Sequence, residues 1–346
     1  MCNGSGTKRP LRKLTAMRGI YQILITFAVL LVLLTVFACI NPNFCSLTNI
    51  VNLLRQIAPI LIISIAQSLV MITGKIDLSI GSVVGLSTMI SATLMSRGIL
   101  SPLPAALVTM ACCMLMGAVN GLLVAQFQLP SFIVTLGTMT IGRGIAQLVN
   151  GSYNTDAITK FYPQQAHLFK QALYYGKTLG LYNGIWIAVM LWVMFDFLLR
   201  RTRTGRCIYA VGSNPNGARL SGVNVSGTIL LVYIISAFCS FVVGVINCAS
   251  VGQGTMDSGA SYEMSAVASA VIGGVSILGG RGSLLGVAAG AAIWGTLQNG
   301  LQFASAPVAI RNIIIGVIMV LLVLMDVVMR TRRRDRDEGE RHAERI

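Results

Sequence analysis

Apolar runs long enough to cross a lipid bilayer follow one another along nearly the whole chain, and no water-soluble fold accommodates that pattern. Divided at charges, Gly/Pro breaks and polar clusters, ten such runs occupy residues 20–40, 54–73, 79–97, 102–126, 131–150, 182–199, 227–250, 263–279, 284–305 and 310–329. A helix needs about 20 mainly apolar residues to cross a hydrocarbon layer roughly 30 Å thick. Only 11% of the 346 residues are charged, whereas a soluble domain carries about 25%, so there is too little polar surface to clothe a soluble body. The expected fold class is all-α: a polytopic membrane protein with about ten transmembrane helices.

The net charge of +15 would suit nucleic acid if the basic residues shared one face of a folded domain. They do not. Lys8, Arg9, Arg12, Lys13 and Arg18 precede the first run, Arg200, Arg201, Arg203, Arg206 and Arg219 fall together without an acid among them, and seven arginines lie at 330–345. All three clusters flank apolar runs, as the positive-inside rule expects of cytoplasmic segments. An even number of crossings puts all three on one side, so both termini are expected in the cytoplasm, and nucleic-acid binding is excluded as a function class. The domain reading follows: a cytoplasmic tail at 1–19, a transmembrane domain at 20–329 interrupted by a cytoplasmic loop at 200–226, and a cytoplasmic tail at 330–346. Residues 1–40 have a basic start and an apolar stretch but no small-x-small cleavage site, which reads as a retained first span rather than a signal peptide.

Two external segments stand out. Residues 151–181 are rich in Tyr, Gln and Lys and are expected to carry structure of their own, and 252–262 are short and Gly-rich. The patterns Gly81-x-x-x-Gly85, Gly117-x-x-x-Gly121 and Gly286-x-x-x-Gly290 fit close backbone approach between helices in lipid. Ile72-Thr73-Gly74 and Ile272-Gly273-Gly274 each close an apolar run ahead of a Ser/Leu/Gly-rich turn, a short internal echo of the kind transporters contain.

No chemical engine is evident in the chain. The string Gly4-Ser5-Gly6-Thr7-Lys8 precedes no nucleotide-binding helix and is not a G-x-x-x-x-G-K-[ST] loop. The two histidines, His167 and His342, lie outside the runs and belong to no Ser-His-Asp or H-E-x-x-H arrangement. Eight cysteines form no C-x-x-C pair and read as small buried hydrophobes. No catalytic residue, metal ligand or bound cofactor is expected on this chain.

Charges within or beside the runs are costly, roughly 2.5 to 3.5 kcal/mol each at a helix centre, and so carry information. Asp196 and Asp326 each precede an arginine by four residues (Arg200, Arg330) and read as interfacial ion pairs. Lys75 and Asp77 fall in Gly74-Lys75-Ile76-Asp77-Leu78-Ser79-Ile80-Gly81-Ser82. That stretch is either a cytoplasmic turn with Asp77 capping the next helix, or irregular backbone lining an enclosed pathway. Arg143 lies deep in the fifth run, on a hydroxyl-bearing stretch after Pro130, and suits either a polar lining or a pairing with a neighbouring helix. No cluster of acids suggests a proton relay or sodium site.

The loop after Arg203 is the most informative polar stretch. Asn214-Pro215 starts and Gly222 stops a short expected helix from Asn216 to Ser221. A short helix of small residues carrying Arg219 is suited to the groove of a partner protein.

Several separated stretches, in order, resemble the permeases of ribose-type ABC importers. They are 74–82 (family-like G-G-I-D-L-S-V-G-S), 129–144, 205–225, 262–283 (Y-E-x-x-A-V-A-x-x-V-I-G-G-x-S-x-L-G-G-R-G-S) and Asn299-Gly300-Leu301. The chain departs from the family at Lys75, where a second glycine is usual, and at Ser265, where an acid is common. The resemblance implies the ABC importer permease fold and import of a monosaccharide, a ribose-like pentose or a hexose, across the bacterial cytoplasmic membrane. It implies a second permease copy or a paralogous permease, a separate ABC ATPase subunit that holds ATP and Mg, and an extracytoplasmic sugar-binding protein. It further implies that Asn214, Gly217, Ala218, Arg219, Leu220, Ser221 and Gly222 couple to the ATPase, and that Asp77, Ser79, Phe132, Thr135, Thr138 and Arg143 are candidates for the translocation pathway. The runners-up are a related permease for a branched-chain amino acid or nucleoside, and a secondary sugar carrier working alone.

Overall fold

The computed structural model describes residues 27–318, 320, 321 and 324. The expected tails at 1–19 and 330–346, Cys2, His342 and the Asp326–Arg330 pair lie outside the described residues. Each of the ten apolar runs contains a helix: α1 (Phe27–Ile40), α2 (Leu47–Ile72), α3 (Ile80–Ser96), α4 (Pro102–Ala125), α5 (Ser131–Leu148), α7 (Asn183–Arg201), α10 (Val225–Val251), α11 (Tyr262–Ile272), α12 (Leu284–Phe303) and α13 (Val308–Ile318). The remaining helices, α6 (Pro163–Lys170), α8 (Arg203–Ser213) and α9 (Pro215–Leu220), lie in the connections. By length and composition, α2, α4, α7 and α10 are each able to cross a membrane.

Helix α2 starts seven residues before the expected run because Ser46 caps it, its Oγ accepting from Asn49 N at 3.2 Å. Capping outweighs the polar first turns, which hydropathy alone leaves out. Pro59 sits inside α2 without ending it, as occurs where neighbouring helices enclose the freed carbonyl.

α10 and α2 form the centre. α10 packs on α4, α3 and α2, while α2 also packs on α7, α11 and α12. The largest core cluster joins these elements through fully buried side chains such as Ile65, Leu69, Ile80, Val232 and Tyr233. Gly117 and Gly121 let α4 lie on α10, since a Cβ there would meet Tyr233 O, Ala237 and Leu230. Gly286 and Gly290 do the same for α12 on Gly273 and Ser269 of α11. Both of these glycine patterns are helix-packing seams of the expected kind.

The eighth run behaves differently from its hydropathy. α11 is 11 residues long and ends at Ile272, not at 279; at 1.5 Å per residue it covers about 16 Å, half a bilayer core. The cause is Gly274, whose φ of 82° suits only a residue without a side chain. It closes a Schellman cap in which Gly274 N donates to Val271 O at 2.9 Å and Val275 N to Ala270 O at 3.0 Å. The end of α2 has the same construction: Gly74 has φ 75°, Gly74 N donates to Met71 O at 2.8 Å and Lys75 N to Val70 O at 3.3 Å. The echo seen in the sequence is thus a pair of matching helix breaks.

The connection at 151–181 has structure of its own, as expected. It holds α6, a π turn at Gln171–Tyr175, and a two-residue hairpin pairing Lys177 with Tyr182 and Thr178 with Leu181. Leu179 and Gly180 both have positive φ, 53° and 81°, as a type I′ turn requires.

Candidate functional site

Three polar features interrupt the apolar bundle: the break after α2, the segment before α11, and the α8–α9 connection.

In the first, Asp77 is neither a helix cap nor an open lining group. Ser79 occupies the cap position of α3. Asp77 Oδ1 accepts from Ser79 N at 2.9 Å and Ser79 Oγ at 2.6 Å, and Oδ2 accepts from Ser236 Oγ of α10 at 2.7 Å. Asn120 of α4 donates to Ser79 Oγ at 2.9 Å, Ser131 of α5 accepts from Ile76 N at 3.3 Å, and Tyr233 Oη donates to Ile76 O at 2.9 Å. Segment 73–79 is therefore irregular backbone, exposed at Gly74 and buried at Asp77 and Ser79, and α4, α5 and α10 hydrogen-bond to Ser79, Ile76 and Asp77.

The second feature is built on Arg143. Its Nη1 donates to Ser258 O and its Nη2 to Gly259 O, both at 2.7 Å, so the fork of the guanidinium bridges successive carbonyls just before α11. Gly85 and Gly81, one turn apart on α3, leave room for this: a Cβ at Gly85 would meet Ser258 O and Arg143 Nη1, and one at Gly81 would meet Gly259 O and the Glu263 carboxylate. Unlike the other two patterns, Gly81-x-x-x-Gly85 is a groove for a loop and two charged side chains. Thr88 and Asn247 complete the setting around Ser258 Oγ, at 2.9 and 3.4 Å.

The remaining pathway candidates do not join either group. Thr135 and Thr138 are buried and donate to their own helix, to Ser131 O at 2.8 Å and Val134 O at 3.1 Å. Phe132 is 56% exposed on α5, where Ile133, Leu136 and Ile141 are also exposed, and Gly137 and Gly144 of the same helix face open space. Ser236, Asn120, Asn247 and Glu263 were missed in the sequence. Single polar residues embedded in apolar runs are the signal that could have marked them.

At the third feature, the short helix anticipated at 216–221 is present as α9. Asn214 Oδ1 accepts from Gly217 N at 3.0 Å, and Gly222 N and Val223 N close the other end on Arg219 O and Ala218 O, both at 3.0 Å. Ala218 is buried, whereas Arg219, Ser221 and Gly222 are exposed and Leu220 is 91% exposed. A polar-capped helix thus presents a bare leucine and an arginine. Beside it, Asp196 and Arg200 form the expected pair, Nε to Oδ1 at 2.8 Å.

At the opposite end of the bundle, α2 and α12 border an open cleft of about 390 Å³ lined by Asn49, Asn52, Arg55, Gln56, Asn299 and Gln302. Its deep amides satisfy one another, Asn49 donating to Asn299 Oδ1 at 3.2 Å and Asn299 to Gln56 Oε1 at 3.3 Å.

A bundle of apolar helices, two of them ended by glycine caps, with a short exposed helix at one end has the build of a multi-pass membrane permease. Residues 49–323 match the model of the family described as branched-chain amino acid transport system / permease component. The chain is 33% identical over 298 residues to the ribose import permease protein of Escherichia coli K12, covering 86% of this chain and 91% of that one. It is 34% identical over 312 residues to the ribose import permease protein of Haemophilus influenzae, with 89% and 94% covered. It is also 32% identical over 302 residues to the D-allose transport system permease protein of Escherichia coli K12, with 87% and 90% covered. The chain belongs to this family of transport-system permease components. No solved structure matches its sequence.

Proposed function

We propose that this chain is the membrane-spanning subunit of an ATP-driven importer of a monosaccharide, a ribose-like pentose or a hexose. α9 docks on a separate ATPase subunit that binds ATP and Mg, and the opposite end receives the solute from an extracytoplasmic binding protein. The observation that carries the docking assignment is the exposure of Leu220 and Arg219 on a helix whose other face is anchored by Ala218. Relatives named for ribose and D-allose along nearly the whole chain favour a sugar over the branched-chain amino acid in the family's description. With α9 toward the ATPase, both termini are cytoplasmic.

A second permease copy, or a paralogue, packs on the exposed face of α5. The open positions Gly137 and Gly144, seven residues apart and so on one helix face, support that contact. Phe132 then faces the pathway between the two copies. Asp77, Ser79, Thr135, Thr138 and Arg143 shape that pathway from behind, by fixing the backbone of the elements that border it.

Uptake by proteoliposomes containing permease, ATPase and binding protein tests this. Gly217→Pro removes the N–H that Asn214 caps, and Arg219→Glu reverses the exposed charge. Either is expected to abolish sugar uptake while leaving the permease folded. Sugar uptake by the chain alone, without ATP, would refute the proposal.

A further inference from the structure

The connection that ends in α9 is seated where the break after α2 meets the turn at 279–280 that follows the break after α11. Gly280 N donates to Ile72 O at 2.8 Å, the one backbone hydrogen bond that ties the segment after α11 to the end of α2. Gly212, in the last turn of α8, lies directly against that bond. A Cβ on Gly212 would collide with the Ile72 carbonyl oxygen and come within 2.6 Å of Gly280 N. On the other side, a Cβ on Gly279 would come within 2.7 Å of Gly74 N and 2.8 Å of Gly212 O, and one on Gly280 would meet Ser213 Oγ at 2.6 Å. Tyr209, one turn earlier in α8, donates from its hydroxyl to Gly282 O at 2.8 Å. Three backbones thus meet at a point where no side chain fits, one from the break after α2, one from the turn at 279–280 that follows the break after α11, and one from α8.

This arrangement has mechanical consequences. Only Ser213 and Asn214 separate Gly212 from α9, and Asn214 is both the last residue bound to α8, through Ala210 O at 3.1 Å, and the cap of α9. No flexible linker absorbs a displacement of α9 before it reaches the junction. Beyond the junction, residues 75–79 lead into α3 on one side and residues 281–283 into α12 on the other. Both breaks turn on a glycine in the left-handed conformation with the same pair of capping bonds, so they share one construction. Small shifts are transmitted between packed elements that have no room to slide.

We propose that Gly212 is the positioning residue that delivers movement of α9 to both helix breaks together, so that α3 and α12 change state in one step. The proposal rests on the reading of α9 as the ATPase-docking helix. A lateral methyl group at position 212 pries the Gly280–Ile72 bond apart, leaving α9 attached but its movement no longer felt.

The test uses the full permease assembled with its ATPase and binding protein in proteoliposomes, comparing wild type with Gly212→Ala and Tyr209→Phe. Gly316→Ala serves as control, because position 316 on α13 has open space for a methyl group. ATP hydrolysed per sugar imported is expected to rise at least tenfold in Gly212→Ala and severalfold in Tyr209→Phe, and to stay at the wild-type value in the control. Hydrogen exchange of the purified permease supplies a second readout independent of the partners: segments 72–79 and 276–283 should exchange at least tenfold faster in Gly212→Ala, with α4 and α10 unchanged. An unaltered ATP-to-sugar ratio in folded Gly212→Ala overturns the proposal. Should that variant fail to fold, an unaltered ratio in Tyr209→Phe overturns it equally. Import by wild type that needs no ATPase overturns instead the reading of α9, and is told apart because it appears before any substitution is made.

Discussion

Asp77, between α2 and α3, and Ser236, in the middle of α10, are joined by a 2.7 Å hydrogen bond with both residues buried. The bond fastens an irregular segment to α10, and its worth follows from the burial. A hydrogen bond to a charged or strongly polar acceptor contributes about 1.5 to 3 kcal/mol, and an orphaned buried partner costs about as much. Ser236→Ala is therefore expected to lower the stability of the purified permease by about 1 to 3 kcal/mol. Asp77→Ala, which frees Ser79 N and Ser79 Oγ as well as Ser236, should cost more. The two effects should not add: a thermal-unfolding double-mutant cycle should return a coupling of about 1 kcal/mol or more. Strict additivity would show that the bond does not hold the break in place.

Arg143 makes a different kind of attachment, two bonds from one side chain to adjacent carbonyls. A lysine keeps the charge but offers a point rather than a fork. Arg143→Lys is expected to loosen segment 255–261, with hydrogen exchange there rising about tenfold, equivalent to about 1.4 kcal/mol of lost local stability. If exchange is unchanged while sugar affinity falls, Arg143 acts on solute and not on the segment before α11.

How much of this was legible depended on whether the signal was local. α9 was readable because Asn214-Pro215 and Gly222 are capping residues acting within one turn. The matching breaks at Gly74 and Gly274 were visible as an echo for the same reason. The true end of α11 was hidden because Val275, Ile277 and Leu278 continue the apolar composition past the glycine that stops the helix, and hydropathy does not register backbone handedness. The partner of Arg143 was hidden more deeply, since it is a pair of carbonyls 115 and 116 residues away and any sequence supplies carbonyls. The role of Gly81 and Gly85 was misjudged for a related reason. The spacing announces close approach but not whether a helix or a loop approaches.

The Asp156–Lys160 pair, in the 151–181 connection, gives a pH prediction. The hydrogen bond from Lys160 Nζ at 2.7 Å, with the lysine's charge behind it, holds the Asp156 carboxyl below its ordinary value. A folded-state value below the unfolded one means that the pair's contribution is fully present above the unfolded carboxyl's pKa and is lost as pH falls through the folded value. Both side chains are exposed, so the effect on global stability is small. Lys160→Ala should leave thermal stability at neutral pH unchanged and shift the Asp156 carboxyl titration upward, measured by carbon-13 NMR of labelled aspartate. A downward shift or none would contradict the pairing.

Gln67 poses the opposite problem to Asp77. It is 0% exposed in the last third of α2, and neither its amide nitrogen nor its amide oxygen has a hydrogen-bond partner among the described residues. Leaving such a group unsatisfied costs about 1 to 3 kcal/mol, while an apolar side chain of similar shape carries no such penalty. Gln67→Leu should therefore raise the melting temperature of the purified permease, by an amount equivalent to about 1 to 2 kcal/mol. Helix α2 runs from the cleft at one end to the break at the other, and Gln67 lies five residues before its end at Ile72, so an unsatisfied amide beside the break is also where a second conformation would find its partner. Under that account Gln67→Leu gains stability and loses transport together, as proteins do when a destabilised functional position is filled. A variant that is less stable than wild type would mean that Gln67 is satisfied in the membrane by buried water, and that α2 holds no such reserve.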